Sequence, residues 1–205
     1  MKNNPTDQFH FFAYLSRMKL ISRWSLMRCV QSENVQEHSL QVAVVSHALA
    51  LIKNKFYFGQ VDPFKVATYA LFHDATEVLT GDLPTPVKYY NPQIRQAYQD
   101  IEQHSIQQLI KLLPQELQDD YQDLLEIPKE ASEIKSLIKA ADTLCAYIKC
   151  IEEVTAGNKE FSKAQKTIEA KVSDLRKNPE VDYFITHFIP GFAMSLDEIS
   201  EPLEN

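Results

Sequence analysis

Along the chain, apolar and polar positions recur at helical spacing in a series of stretches separated by short joints. Residues 9–20 put Phe12, Leu15 and Leu20 at that spacing. The stretch ISRWSLMRCVQSEN that follows has no regular pattern. Asn34 then stands where a helix cap belongs, with Glu37 three residues on, the arrangement of a capping box. The helix it opens, roughly 35–53, reads VAVVSHALALI and is apolar almost all round, as a central buried helix must be. Pro63 suits the first turn of a helix that the pattern carries to about Leu79, and Pro84 and Pro86 hold the next segment in a loop. A long polar-rich helix after Pro92 ends at Pro114, and a shorter one covers QELQDDYQDLLEI. Ser132 is positioned to cap a helix whose apolar stripe includes Ile134, Leu137, Ile138, Ala141, Leu144, Ile148 and Ile151, with Gly157 at its end. One further helix stops at Pro179, and EVDYFITHFIPGF keeps a helical pattern. There is no internal repeat. The pattern predicts an all-α fold: one helical bundle of irregular topology in a single domain spanning 1–205.

Composition narrows what such a bundle does. At 205 residues, with 44% hydrophobic and 24% charged positions, the chain is an ordinary soluble globular protein with one sizeable core. It has only four glycines, whereas strand turns and phosphate loops consume glycine. A net charge of -7 argues against a broad nucleic-acid surface, which would need a basic face, but leaves room for a small anionic ligand held by a few local cations. Cys29, Cys145 and Cys150 form no metal-type pair and fit reduced thiols. The N-terminal stretch lacks the clean apolar run of an export signal, and no apolar run reaches membrane-spanning length. A cytoplasmic protein with no membrane partner is expected. Serine-elbow, P-loop and dinucleotide motifs are absent, and Cys29 lacks the context of a thiol nucleophile.

Against this background the string HDATEVLTGDLP at 73–84 stands out. On a continuous helix at about 100° per residue, His73, Glu77, Tyr69 and Val66 share one face, with Asp74 at its edge. In the preceding buried helix His38 shares its face with Val42, Val45 and Leu49. In the 132–156 helix Asp142 flanks the apolar stripe beside Ile138 and Cys145. Burying an unpaired carboxylate costs several kcal/mol. Two carboxylates beside two neutral imidazoles therefore call for a shared counter-charge, and a divalent cation supplies it. A mixed nitrogen and oxygen donor set suits Mn²⁺, Co²⁺, Fe²⁺ or Zn²⁺ better than Ca²⁺ or Mg²⁺. Each residue also has a plainer reading. His38 alone fits a core histidine bonded to a backbone carbonyl, Asp142 a surface pair with Lys139, and Asp74 and Glu77 a solvated edge.

The strings LISRW, ENVQEHSLQVA, HDATEVLTGDLPTPVKYYN and ADTLCAYIKCIEE resemble the YfbR-type 5′-deoxynucleotidases of the HD-domain phosphohydrolases, whose H…HD…D signature falls on His38, His73, Asp74 and Asp142. The resemblance runs from about Phe9 to Ile199, leaving 1–8 and 200–205 as peripheral tails. It implies an all-helical HD domain, a homodimer, and hydrolysis of deoxyribonucleoside 5′-monophosphates with one divalent ion, Co²⁺, Mn²⁺ or similar. His38, His73, Asp74 and Asp142 match the ligands, and Glu77, with Asp74, matches the acidic group at the attacking water. Arg23, Trp24 and the run Asp82, Leu83, Pro84 and Thr85 match substrate contacts, to which Asp74 and Asp142 also belong. Arg23 is suited to gripping phosphate through two parallel hydrogen bonds, while Arg17, Lys19 and Arg28 read as solvated helix edge; Lys88 is a lesser phosphate candidate. Preference for deoxyribose comes from the resemblance alone. Two other functions stay open: an HD phosphohydrolase acting on a cyclic nucleotide, a triphosphate or an alarmone, and a nucleotide-binding module without catalysis. Dinuclear relatives need extra histidines, yet His47 lies about 180° round its helix from His38.

Overall fold

In the computed structural model, which describes residues 8–88 and 90–201, the first apolar stretch forms a short helix, α1 (Phe11–Leu15), that tightens into a 3₁₀ turn over Ser16–Leu20. The patternless stretch leaves the helical path as a loop closed at its base by backbone bonds. Arg23 N donates to Glu33 O at 2.9 Å, and Val35 N to Ile21 O at 3.0 Å. Asn34 and Glu37 make the expected capping box at the start of α2 (Val35–Phe56). Asp62 caps α3 (Pro63–Phe72), with Pro63 in its first turn.

The helix expected to run to Leu79 instead breaks after Phe72. The N–H groups of His73, Ala75 and Glu77 bond three residues back, to Ala70, Phe72 and Asp74, before the short α4 (Glu77–Thr80) begins. Side-chain competition accounts for the break. His73 Nδ1 lies 2.7 Å from the Ala70 carbonyl that a continuing α-helix would offer to the Asp74 N–H. A single tightened turn leaves the apolar spacing nearly unchanged, so periodicity did not reveal it.

Next come α5 (Thr85–Lys88), α6 (Pro92–Ile110), α7 (Gln115–Leu125) and α8 (Ser132–Thr155). Ser132 is not the cap expected of it, because a 3₁₀ turn over Lys129–Ala131 runs straight into α8 and makes it the first helical residue. Gly157 (φ 87°) ends α8 as expected: its N–H bonds Val154 O, and Asn158 N bonds Glu153 O. That double closure needs the left-handed conformation glycine adopts freely. The chain continues as α9 (Ser162–Leu175), α10 (Pro179–His187), a 3₁₀ turn over Ile189–Ala193, and α11 (Leu196–Ser200). Of the tails expected at 1–8 and 200–205, residues 1–7 and 202–205 lie outside the described residues, and Ser200 closes α11.

The described residues contain no strand, only one isolated antiparallel bridge between Ser22 and Asn34. The main core packs α2, α3, α8, α9 and α10 around Val42, Leu49, Val66, Leu144 and Ile148. A second cluster of Phe11, Ile106, Leu109, Ile110 and Leu113 joins α1 to α6, where the pattern had implied one core. Among the described residues no helix is long and apolar enough to cross a membrane.

A buried ion pair fastens the 22–34 loop to α8. Glu153 accepts from Lys149 Nζ (2.6 Å), Val30 N (2.8 Å), Gln31 N (3.2 Å) and Asn158 Nδ2 (2.7 Å), while Lys149 Nζ also donates to Gln31 O. Burial opposes the charge on Glu153, but the Lys149 ammonium and the converging N–H groups outweigh it and lower its pKa from 4.5 to about 2. A depressed carboxyl stabilises the fold above its unfolded pKa, and that contribution fades as pH falls toward the folded value. Glu153→Gln, which strands the Lys149 charge, is expected to cost about 3 kcal/mol at pH 7. In denaturant titrations the gap between wild type and variant should start to close below pH 4.5.

Candidate active site

Three elements of the main core converge on one point. His38 projects from α2, His73 and Asp74 from the tightened turn after α3, and Asp142 from α8. His38, His73 and Asp74 each offer one donor atom, all within 4.8 Å of one another. His38 Nε2 is 3.0 Å from Asp142 Oδ1 and 3.8 Å from Asp74 Oδ2, and His73 Nε2 is 3.2 Å from Asp74 Oδ2. The plainer readings of these residues therefore fail. The buried Nδ1 of His38 has no hydrogen-bond partner, so it is not a core histidine bonded to a carbonyl. Asp142 turns to His38 rather than to Lys139.

The tautomer of His73 follows from its neighbours. A carbonyl only accepts, so Nδ1 must donate to Ala70 O. In neutral His73 this leaves a lone pair on Nε2 aimed at an Asp74 oxygen, which is also an acceptor. Two acceptors in contact need a proton or a metal cation between them. When a proton fills that role, burial works against the charge on His73, but Asp74 and Asp142 outweigh it and raise its pKa to about 9. Asp74 is held well below the usual carboxylate range by His73, His38 and Arg23, against the burial that would raise it. His73 Nε2, buried and without a hydrogen-bond partner, together with mixed imidazole and carboxylate donors, fits a divalent transition metal.

Glu77 opens α4 and is 3% exposed. Its Oε1 takes a 2.9 Å bond from Lys88 Nζ, and its Oε2 is buried without a partner. Burial and the nearby Asp74 charge lift its pKa, Lys88 pulls it back, and the balance stands at about 8. Lys88, considered for phosphate, is thus occupied by Glu77 and also lies 5.0 Å from the centre of the Tyr98 ring.

Beside this cluster lies a cleft of about 810 Å³. Arg23 and Trp24 from the 22–34 loop line it, as do Asp82, Leu83 and Pro84 from the segment between α4 and α5, Thr85 at the start of α5, and Asp142 from α8. Arg23 Nη1 is 3.6 Å from Asp74 Oδ2, so the guanidinium reaches the edge of the histidine and aspartate group. Trp24 holds a left-handed backbone (φ 55°), unusual for a bulky residue. Its indole N–H donates to Glu33 Oε2 at 3.0 Å, and its ring packs 5.3 Å from that of Phe161. Arg17 and Lys19 are exposed, and Arg28 pairs with Glu160, so all three behave as the surface edge expected of them. Periodicity did not reveal the wall that α9 adds through Lys163, Thr167 and Lys171, nor the bonds that Glu33 makes within the loop and Glu153 makes to it.

A model of YfbR-like 5′-deoxynucleotidases matches residues 10–192. The chain belongs to this family. Its relatives include a 5′-deoxynucleotidase of Pectobacterium atrosepticum, 55% identical over 195 residues that cover 95% of this chain and 98% of that one. A 5′-deoxynucleotidase of Vibrio atlanticus is 55% identical over 193 residues, covering 94% and 99%. Among solved structures, an HD-domain phosphohydrolase from Listeria innocua aligns with a TM-score of 0.79 at 23% identity, over 91% of this chain and 90% of that one. The HD phosphohydrolase of cyanophage S-2L, bound to dA and one catalytic Zn²⁺ ion, aligns at 0.59 with 19% identity, over 90% and 99%. These two likenesses show the HD-domain fold. The membership read from the H…HD…D strings is borne out.

For the His38, His73 and Asp74 cluster, a divalent ion that binds only the folded chain should raise the melting temperature. Co²⁺ added after chelation, at about 100 times its Kd, is expected to contribute about 2.7 kcal/mol. Differential scanning fluorimetry should show the rise in wild type and its absence in His73→Ala.

Proposed function

We propose that the chain is a divalent-metal-dependent 5′-deoxynucleotidase that converts deoxyribonucleoside 5′-monophosphates to deoxynucleosides and phosphate, with His38, His73, Asp74 and Asp142 as ligands of one ion. The observation that carries this reading is the juxtaposition of a buried imidazole and carboxylate cluster with a cleft lined by Arg23, in a chain 55% identical to 5′-deoxynucleotidases. An ion held by these four residues, Co²⁺, Mn²⁺ or a similar cation, would supply charge neutralisation at the phosphoryl group and polarisation of a water. Arg23 grips the phosphate oxygens. Asp74 orients the attacking water, and Glu77 takes its proton on Oε2, the oxygen that Lys88 leaves free. Burial and the Asp74 charge lift the Glu77 carboxyl toward neutral pH, and a cation beside Asp74 would offset the second cause and favour the ionised form that takes a proton. Trp24, Leu83 and Pro84 wall the sugar, and Asp82 and Thr85 offer acceptors to its hydroxyl.

The histidines support one ion rather than two. His47 sits on the far side of α2, with its ring 5.6 Å from that of Phe64, and His104 and His187 contact Gln108 and Tyr183. Three free cysteines support a cytoplasmic location. The 1–205 chain is read as one HD domain. A phosphate-release panel of deoxynucleoside mono-, di- and triphosphates and ribonucleotides, run with Mn²⁺, Co²⁺, Zn²⁺ and Mg²⁺ after chelation, tests the reaction. Deoxynucleoside monophosphates should be preferred, and equal release from triphosphates would overturn the assignment. Glu77→Ala should keep its metal content while turnover falls by about 10²–10⁴-fold.

The homodimer is proposed to form through α2 and α3. These helices run antiparallel, with His38 near His73 at one end and His47 near Phe64 at the other. Their outward face exposes Leu40 (59%), Val44 (63%), Phe64 (76%) and Leu71 (42%), an apolar stripe that a second copy would cover. Light scattering should find a dimer in wild type and a monomer in Val44→Asp.

A further inference from the structure

Glu33 lies beneath the cleft, in none of the roles assigned above. Its side chain is only 11% exposed, and its two oxygens face three groups of the site. Oε2 accepts from Trp24 Nε1 at 3.0 Å and lies 3.4 Å from Arg23 Nε. Oε1 lies 3.8 Å from His38 Nδ1. Arg23 Nε and His38 Nδ1 are both buried without a hydrogen-bond partner, and this carboxylate is the acceptor both approach. The backbone brings it there: Arg23 N donates to Glu33 O across the neck of the loop, and Asn34 caps α2 immediately after.

We infer that Glu33 is a positioning residue that couples the substrate loop to the metal-binding imidazole. By accepting from the Trp24 indole and pairing its charge with the Arg23 guanidinium it holds both on the cleft wall. As the carboxylate nearest His38 Nδ1, at 3.8 Å, it favours the proton on that nitrogen and so the tautomer in which the Nε2 lone pair faces Asp142 and Asp74. A carboxylate behind a ligating imidazole orients the ring and raises its basicity, and losing such a partner typically weakens metal binding or activity by about 10–100-fold. One side chain therefore joins the phosphate grip to the ligand set. This inference rests on the metal-centre reading above.

Two variants separate its two contacts, and neither readout needs substrate turnover. Trp24 is the single tryptophan of the chain, so its emission and acrylamide quenching report the loop directly. Metal affinity is read by titrating chelated protein with Co²⁺ and following visible absorption. Glu33→Ala should weaken Co²⁺ binding by about 10–100-fold and make Trp24 more quenchable. Glu33→Gln keeps an acceptor for the indole N–H but offers an amide that can donate to His38 Nδ1. It should leave Trp24 emission near wild type while Co²⁺ binding still weakens. If Glu33→Ala fails to fold, Glu33→Gln alone decides the coupling. Wild-type Co²⁺ affinity in either folded variant overturns it, as does unchanged Trp24 quenching in Glu33→Ala. A wild type that binds no Co²⁺ defeats the metal-centre reading itself, and a wild type that binds Co²⁺ but releases no phosphate defeats only the assigned reaction.

Discussion

Two acceptors that cannot share a boundary unaided, His73 Nε2 and Asp74 Oδ2 at 3.2 Å, set the terms for the rest of the molecule. The Ala70 carbonyl takes the only proton of a neutral His73, so the electron-rich edge of the ring meets an electron-rich oxygen in a half-buried place. A conflict of this kind persists in a fold only where a positive charge is meant to sit. The same bond to Ala70 diverts a carbonyl from the helix ladder and ends α3. The break that aims His73 and Asp74 inward and the electrostatic demand they create thus have one origin.

The surrounding scaffold holds this demand in register. α2 is capped at its start, α8 is closed at its end by Gly157, and both are long and packed into the main core, so His38 and Asp142 arrive on rigid supports. The other half of the site is borne by a loop, fastened by groups that are themselves buried. Glu153 and Lys149 grip its far side from α8, and backbone bonds around Ile21, Arg23, Glu33 and Val35 close its neck. A loop bound this way places Arg23 and Trp24 almost as firmly as a helix would, while its irregular backbone lets Trp24 take a conformation that no helix permits.

Much of this was legible in the sequence. The apolar run of α2 marked it as central, Asn34 and Glu37 announced its start, and Gly157 marked the end of α8. The cluster itself was legible because ionisable residues stood on faces that periodicity sent inward. The turn at His73 was not, because one tightened turn hardly alters spacing and its cause is a side chain bonding its own helix. Neither was Glu33, whose value lies in contacts across a segment with no pattern, nor Lys88, whose partner Glu77 is eleven residues away and set by the fold. Ser132 looked like a cap by type alone, and the 3₁₀ turn ahead of it made one unnecessary.

The fastening of the loop also bears on the order in which the enzyme is built. Val30 and Gln31 meet Glu153 across 123 and 122 positions of chain, and Arg28 meets Glu160 across 132. Contacts so distant in sequence cannot form until the intervening helices have collapsed together. During synthesis the half of the site carried by the 22–34 loop must therefore wait for α8 and the turn after it to emerge, long after His38, His73 and Asp74 have left the ribosome.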